Sequence, residues 1–296
     1  MTIDGATFAR DTPAQVESVW GDGSRSLWAK GEPLMIAKPD GVGGTTIAQQ
    51  LALAVAGIRP PTLLGYPITP DPERRVLYLA LDRPRQAARS MRRMVGEGDR
   101  ALLEQRLVVH EGELPFDLVA KPERLLAFAQ EQNAGTVIID SLKDLADKLS
   151  DEAAGQAINR ALQLCVAAGV EVLALHHQRK TQGDNKTPNK LSDVYGSRWL
   201  TAGCGSVLML WGEPGDPIVG LTHLKQPGDE VGPLTLLHDN RAGTTTAQGA
   251  VDVVDLLGAG ATPLSAKDVA QKLFATSDPN RLEVEKAKRK LATAVE

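Results

Sequence analysis

The 296-residue chain is short of aromatic residues, cysteine and net charge, and each shortage excludes something. Phe, Trp and Tyr make up 4% of it, so a surface that holds single strands by stacking bases on rings would have few rings to use. The two cysteines, Cys165 and Cys204, sit in apolar settings and form no CxxC pair. That argues against a disulfide framework or a cysteine-built zinc site and fits a reducing cytoplasm. Lys and Arg number 33 against 37 Asp and Glu, a formal charge of −4. This balance excludes a histone-like coating protein but not a local basic strip. No apolar run approaches the ~18 residues that a membrane span requires, and residues 1–30 hold no signal-peptide run. A cytoplasmic protein with no membrane role is expected.

What is present is the pattern of an α/β protein. The length suits one domain of about 250 residues with a small appendage. Short apolar runs at 34–37, 76–81, 107–109, 137–140 and 172–177 read as buried strands. Helical stretches lie between them, near 47–55, 83–106, 122–132 and 151–168. The alternation predicts a mostly parallel sheet flanked by helices. Strand-only runs at 207–210, 220–224 and 234–237 predict an antiparallel edge. Residues 1–30 read as an arm whose Trp20-Gly21-Asp22-Gly23 and Leu27-Trp28 form a short hairpin. The core then spans 31–243, residues 241–248 read as a linker, and 250–296 read as a small helical module.

The segment most directly tied to chemistry runs Lys38-Pro39-Asp40-Gly41-Val42-Gly43-Gly44-Thr45-Thr46, between the first core strand and a helix. A strand, a Gly-rich turn and a helix opening on threonine is the layout of a phosphate loop. Glycine lets backbone N–H groups curl around phosphate oxygens, and the helix N-terminus adds positive potential. The usual pattern is G-x-x-x-x-G-K-[ST]. Gly43 and Thr45 match it, but Lys38 stands where the first glycine belongs and Gly44 where the lysine belongs. Two readings stand. In one, the segment is an ordinary Gly-rich turn or a decayed loop. In the other, Lys38 delivers the ammonium from the opposite end of the same loop.

Downstream carboxylates bear on the choice. Thr136-Val137-Ile138-Ile139-Asp140 is an apolar strand ending in an acid, the form of a Walker B segment. Its Asp140 would hold a Mg²⁺ water shell while Thr45 supplies a hydroxyl ligand. Asp82 follows the 76–81 strand, where a general base for an attacking water is expected, and it also suits the N-cap of the next helix. Asp82 and Asp140 together would alternatively bind Mg²⁺ or Mn²⁺ for phosphodiester cleavage. Adjacent His176 and His177 would face opposite sides of a strand, which disfavours one shared metal ion.

Taken in order, these segments resemble the RecA/DnaB superfamily of P-loop ATPases, and within it the RepA-like hexameric helicase branch of plasmids and phages. The resemblance rests on the Gly-rich loop, Leu81-Asp82-Arg83-Pro84-Arg85, the strand ending at Asp140, His176-His177-Gln178-Arg179-Lys180 and Gly196-Ser197-Arg198. It covers roughly residues 18–240. Trp20-Gly21 and Leu27-Trp28 ahead of Gly31-Glu32 resemble phage-encoded relatives in actinobacteria.

The resemblance implies a RecA-like fold, an ATP and Mg²⁺ site over residues 38–46, and a ring, a hexamer by analogy, that acts on DNA. A phage-infected bacterial host is the implied setting. It makes His177 a sensor of the terminal phosphate and 179–190 a DNA-facing loop, with Arg179, Lys180, Lys186 and Lys190 on phosphates. It makes Lys225 a cation reaching a neighbour's nucleotide, with Arg198 and Arg241 as substitutes. The Arg-rich helix 83–106 reads first as a subunit interface. The C-terminal module resembles a truncated winged helix, with Lys286, Lys288, Arg289 and Lys290 on its last helix. A non-catalytic DNA-binding or loader ring remains a further alternative.

Overall fold

The computed structural model describes residues 2–11, 15–146, 149–179, 188, 190–248, 265–273, 279, 281, 284–285 and 287–288. A short helix α1 (Gly5–Arg10) opens the chain. The hairpin β1 (Ser18–Asp22) and β2 (Arg25–Ala29) follows. Next come β3 (Leu34–Lys38) and α2 (Gly44–Val55). After the two-residue strands β4 (Thr62–Leu63) and β5 (Tyr66–Pro67) come β6 (Arg75–Ala80), α3 (Pro84–Arg92), α4 (Arg100–Arg106) and β7 (Leu107–Glu111). The middle of the chain is α5 (Glu123–Glu131), β8 (Ala134–Asp140), α6 (Glu152–Ala167) and β9 (Glu171–His177). It continues through α7 (Trp199–Ala202), β10 (Ser206–Trp211), β11 (Ile218–Lys225), β12 (Leu234–Asp239) and β13 (Thr244–Gln248) to α8 (Ala266–Leu273).

Among the described residues, nine strands form one sheet in the order β13-β12-β11-β10-β3-β9-β8-β6-β7. The pairs from β10 to β7 are parallel, and β11, β12 and β13 add antiparallel ribbons at one side. The fold is therefore α/β and RecA-like, with helices on both faces and an antiparallel edge. Strand period decides which face each side chain joins. Leu34, Ile36, Tyr78, Ile138, Leu173 and Leu175 pack toward α2 and the Trp20/Trp28 hairpin. Met35, Ala37, Leu77, Leu79, Val137, Ile139, Val172 and Ala174 pack with Leu125, Ile158 and Leu162 of α5 and α6.

Three expectations need correction. The Arg-rich stretch is not one helix: α3 ends at Arg92, a 3₁₀ turn occupies Glu97–Asp99, and α4 restarts at Arg100. Gly96 caps that turn and Gly98 lies within it, and glycine weakens a helix interior. Residues 241–248 are not a linker, because Thr244–Gln248 pairs antiparallel with β12 as the sheet's outermost strand. β10 belongs to the parallel block as well as to a hairpin, since it pairs with β3 on its other side. The arm over 1–30 does contain the expected hairpin, and Trp20, Leu27 and Trp28 are fully buried in the main core. In the C-terminal module the helix after Ser265 is present, with Ser265 and Asp268 bonded side chain to backbone in both directions. Of the basic residues expected on the last helix, Lys286, Arg289 and Lys290 lie outside the described residues. Lys288 is helical and pairs with Glu285 at 2.8 Å.

Candidate functional site

Parallel strands carry their carboxyl ends to one edge of the sheet, where ligands of such folds bind. Lys38 ends β3, Asp140 ends β8, His177 ends β9 and Asp82 lies two residues past β6. Lys38 and His177 are register partners on adjacent strands. Together with Asp40, Gly41, Gly43, Gly44, Thr45 and Thr46 they line a cavity of about 630 Å³ at the N-terminus of α2. Val42, expected among the binding residues, does not line it. Its side chain is fully buried in the core and its carbonyl is taken from behind.

Within the loop, Gly41 and Gly43 have φ of 77° and 83°, a backbone only glycine adopts without strain. Gly44 lies at ordinary helical angles, so its identity has another cause. A Cβ placed there would stand 2.2 Å from Cδ of Lys38 and 2.8 Å from its Cε. The lysine stem occupies the space that a side chain at position 44 would take. The two departures from the usual pattern are thus one exchange.

Below the loop, Asp140 is almost fully buried and accepts hydrogen bonds on Oδ2 from Thr45 Oγ1 (3.1 Å) and from the Tyr78 hydroxyl (2.7 Å). Burial pushes its carboxyl upward, against the pull of Tyr78, Lys38 and Thr45. Burial and the neighbouring Asp140 charge also raise the Tyr78 phenol well above its ordinary value. A hydroxyl and a carboxylate side by side are hard oxygen donors and fit a Mg²⁺ that keeps several waters.

Asp82 is tied to Lys143 (2.8 Å) and faces Arg83 (3.8 Å). Burial alone would raise its carboxyl. The Lys143 bond and charge, then Arg83 and His177, outweigh that and hold it below the usual range. Asp82 is not the N-cap of α3. Arg83 takes that position at φ 50°, ahead of Pro84.

The paired histidines separate as strand period requires. His177 faces the cavity, with Nδ1 3.4 Å from Asp40 Oδ1. Burial first, then Lys38 and Lys143, lower its basicity. His176 faces the other way, is fully buried, and bonds the Tyr195 carbonyl at 2.7 Å through Nε2. Burial pushes His176 down to about 4, and does the same to His223. Both are neutral in the fold yet take up protons once unfolded below their ordinary 6.5. Stability is therefore complete above that pH and declines as the pH falls toward about 4. The urea midpoint should drop between pH 7 and pH 5, and His176→Gln should flatten the slope.

Sequence reading missed one group that lines this cavity and another that braces its loop from behind. Arg83, Gln86, Arg89, Ser90 and Arg93 line it from α3 and its two caps, so three arginines of the run face the phosphate loop. Helical spacing of 86, 89, 90 and 93 was the available signal. Arg106, by contrast, is buried and donates to the Ala56, Asp71 and Pro72 carbonyls.

The second group is His238 of β12, whose ring packs against Gly43; a Cβ there would stand 2.2 Å from it. Its Nε2 meets the Val42 carbonyl at 3.0 Å and so must donate, which leaves Nδ1 to accept from Thr245 Oγ1 at 2.6 Å. Burial lowers its basicity, which keeps that neutral tautomer. Thr245 N donates to Gln50 Oε1 of α2, closing a brace around the loop. His238→Phe, which keeps a ring but no donor, should weaken nucleotide binding about tenfold, the value of one such bond. His238→Gln should retain most of the affinity in the same titration.

The remaining expected residues lie elsewhere. Lys225 lines a second cavity of about 580 Å³ with Arg179 and Arg198, and its ammonium donates to the Thr201 (3.4 Å) and Ala202 (3.0 Å) carbonyls. Lys190 is exposed, and its backbone N–H donates to Asp193. Arg241 is exposed on the β12–β13 turn. Lys180 and Lys186 lie outside the described residues. Both cysteines are free and buried, and burial pushes their thiols up to about 12. Among the described residues, no three His, Cys, Asp or Glu side chains converge to hold a metal, and no helix is long and apolar enough to cross a membrane.

A glycine loop joining a central parallel strand to a helix N-terminus, beside an acid-ended strand, defines a P-loop nucleotide-binding core. The family model described as an AAA domain matches residues 4–183, and the chain belongs to that family of P-loop ATPases. No curated protein matches the chain.

Proposed function

We propose that this protein hydrolyses ATP with Mg²⁺ and acts on DNA as a ring-forming motor of the RecA/DnaB type, in phage or plasmid replication, recombination or repair. The carrying observation is the exchange at the loop. Lys38 lies over Gly44 inside a cavity that also holds the Thr45–Asp140 pair. Loop N–H groups and the α2 N-terminus would take the phosphates, with Lys38, Arg89 and Arg93 balancing their charge. Thr45 and Asp140 would hold the metal, which supplies charge neutralisation at the transferring phosphoryl group. Asp82 would receive the proton of the attacking water, and His177 would register the terminal phosphate.

Arg179, Arg198 and Lys225 around the second cavity supply cations for a DNA backbone or a neighbour's nucleotide, which supports the DNA and ring readings. The nuclease alternative draws less support, because Asp82 pairs with a lysine rather than joining Asp140 in an acidic cluster. The test is titration of the purified chain with a fluorescent ATP analogue and Mg²⁺, followed by DNA affinity with and without nucleotide. Binding of the analogue, and a DNA affinity that changes with it, are expected. DNA degradation with Mn²⁺ and no ATP would favour the nuclease instead. Binding without turnover, in the wild type and in loop-exchange variants alike, would favour the non-catalytic ring.

A further inference from the structure

Asp82 is the proposed proton acceptor, yet it is engaged. Its Oδ2 is 2.8 Å from Nζ of Lys143, and both side chains are about a third exposed, at 31% and 34%. Neither partner is loosely placed. Lys143 sits in the 3₁₀ turn Leu142–Leu145 directly after β8, pinned by the buried Leu142 and Leu145 and by a Ser141 Oγ to Asp144 bond of 2.9 Å. Leu81 and Asp82 both donate their backbone N–H to the Asp140 carbonyl, at 2.8 and 3.1 Å. The pair is therefore built onto the same strand end as the proposed metal ligand. Lys143 also feels the charges of Asp144 and Asp40, and His177 feels both Lys143 and Lys38. Asp82 and Ser141 line the phosphate cavity, so the bond to Asp82 holds a second ammonium one side chain behind that wall, beside a loop whose own lysine position is glycine.

Resting on the ATPase reading above, we propose that Lys143 is a phosphate-exchanging latch: it holds Asp82 while the cavity is empty and transfers its ammonium to the terminal phosphoryl oxygens when ATP binds. A terminal phosphoryl group carries more than one negative charge and three acceptor oxygens, so it outcompetes a single carboxylate for the ammonium. The transfer has two results. Positive charge arrives at the terminal phosphoryl oxygens, over which the negative charge of the transition state is spread, and Asp82 is released to accept a proton as water oxygen bonds phosphorus and the bond to the β-phosphate oxygen breaks. The products are ADP and inorganic phosphate. The proton leaves Asp82 for phosphate or solvent, and Lys143 returns to Asp82. ADP, lacking the terminal group, leaves the latch closed.

Binding of ATPγS and of ADP to wild type, Lys143→Met and Lys143→Arg, measured by calorimetry beside steady-state ATPase rates, tests this. Lys143→Met should lose about tenfold in ATPγS affinity while its ADP affinity stays within about twofold. Its kcat should fall about 100-fold, the scale of one lost transition-state donor. Lys143→Arg should recover the preference for ATPγS over ADP. Equal losses for both nucleotides, or no change in either, would overturn the proposal, as would a higher kcat with the preference unchanged. Melting curves of the three proteins separate misfolding from these outcomes. If Lys143→Met is unstable, Lys143→Gln carries the same comparison. A wild type that binds neither nucleotide sinks the ATPase reading itself, whereas normal binding with an indifferent Lys143 sinks the latch alone.

Discussion

Lys38→Ala is expected to lower kcat/KM for ATP by about 100- to 1,000-fold, the effect of removing one preorganised cation or donor from a phosphoryl site. The chain should stay folded, because the substitution removes a stem that lines a cavity rather than one that fills the core. The informative comparison is with position 44. Gly44→Lys restores the usual residue of a phosphate loop, and sequence alone would forecast a gain. The structure forecasts a loss. The new Cβ would stand 2.2 Å from Cδ of Lys38, so one lysine must displace the other.

Gly44 is not held to glycine by its backbone, since only Gly41 and Gly43 of the loop have positive φ. Once the Lys38 stem is gone, a lysine there is permitted. The double variant Lys38→Ala/Gly44→Lys should therefore recover to within about tenfold of wild type, a coupling between touching residues that additivity would miss. Steady-state ATPase rates of the four proteins check this. A fully active Lys38→Ala would mean that Lys38 never served the phosphates.

Asp140→Asn is the second large effect. Replacing the acid should reduce hydrolysis about 1,000-fold, corresponding to roughly 4 kcal/mol of transition-state stabilisation that a bound metal supplies. Fold stability should change little, because an asparagine carbonyl still accepts from the Tyr78 hydroxyl and Thr45 Oγ1. Asp140→Ala should lose the same activity and also about 1–3 kcal/mol of stability, because it leaves the buried Tyr78 hydroxyl without its acceptor. Urea unfolding of the two variants separates these terms. Mg²⁺ titrations of ATPγS binding should show the metal dependence flattened in both. A variant that hydrolyses ATP at the wild-type rate would remove Asp140 from the metal site.

Much of this site is legible in the chain because near-neighbour rules write it. Strand period places Lys38, Asp140 and His177 on the α2 face and sends His176 to the other. Glycines at 41 and 43 mark the turn, and the order of strands and helices announces a parallel sheet. The misses share a cause. Composition alone makes the arginine stretch one helix, whereas Gly96 and Gly98 divide it and helical spacing turns its first half toward the cavity. Residues 241–248 look like a linker until β12 is there to pair with them.

The sequence by itself determined the class of fold, the loop and the face on which each strand residue lies, since these depend on residues a few positions apart. Only the tertiary structure decided that the Lys38 stem fills the space left by Gly44, that His238 braces a carbonyl 196 positions away, and that Lys143 closes on Asp82. Each of those depends on which strands become neighbours in the sheet and which distant side chain fills the space beside a given residue. No local period carries that information.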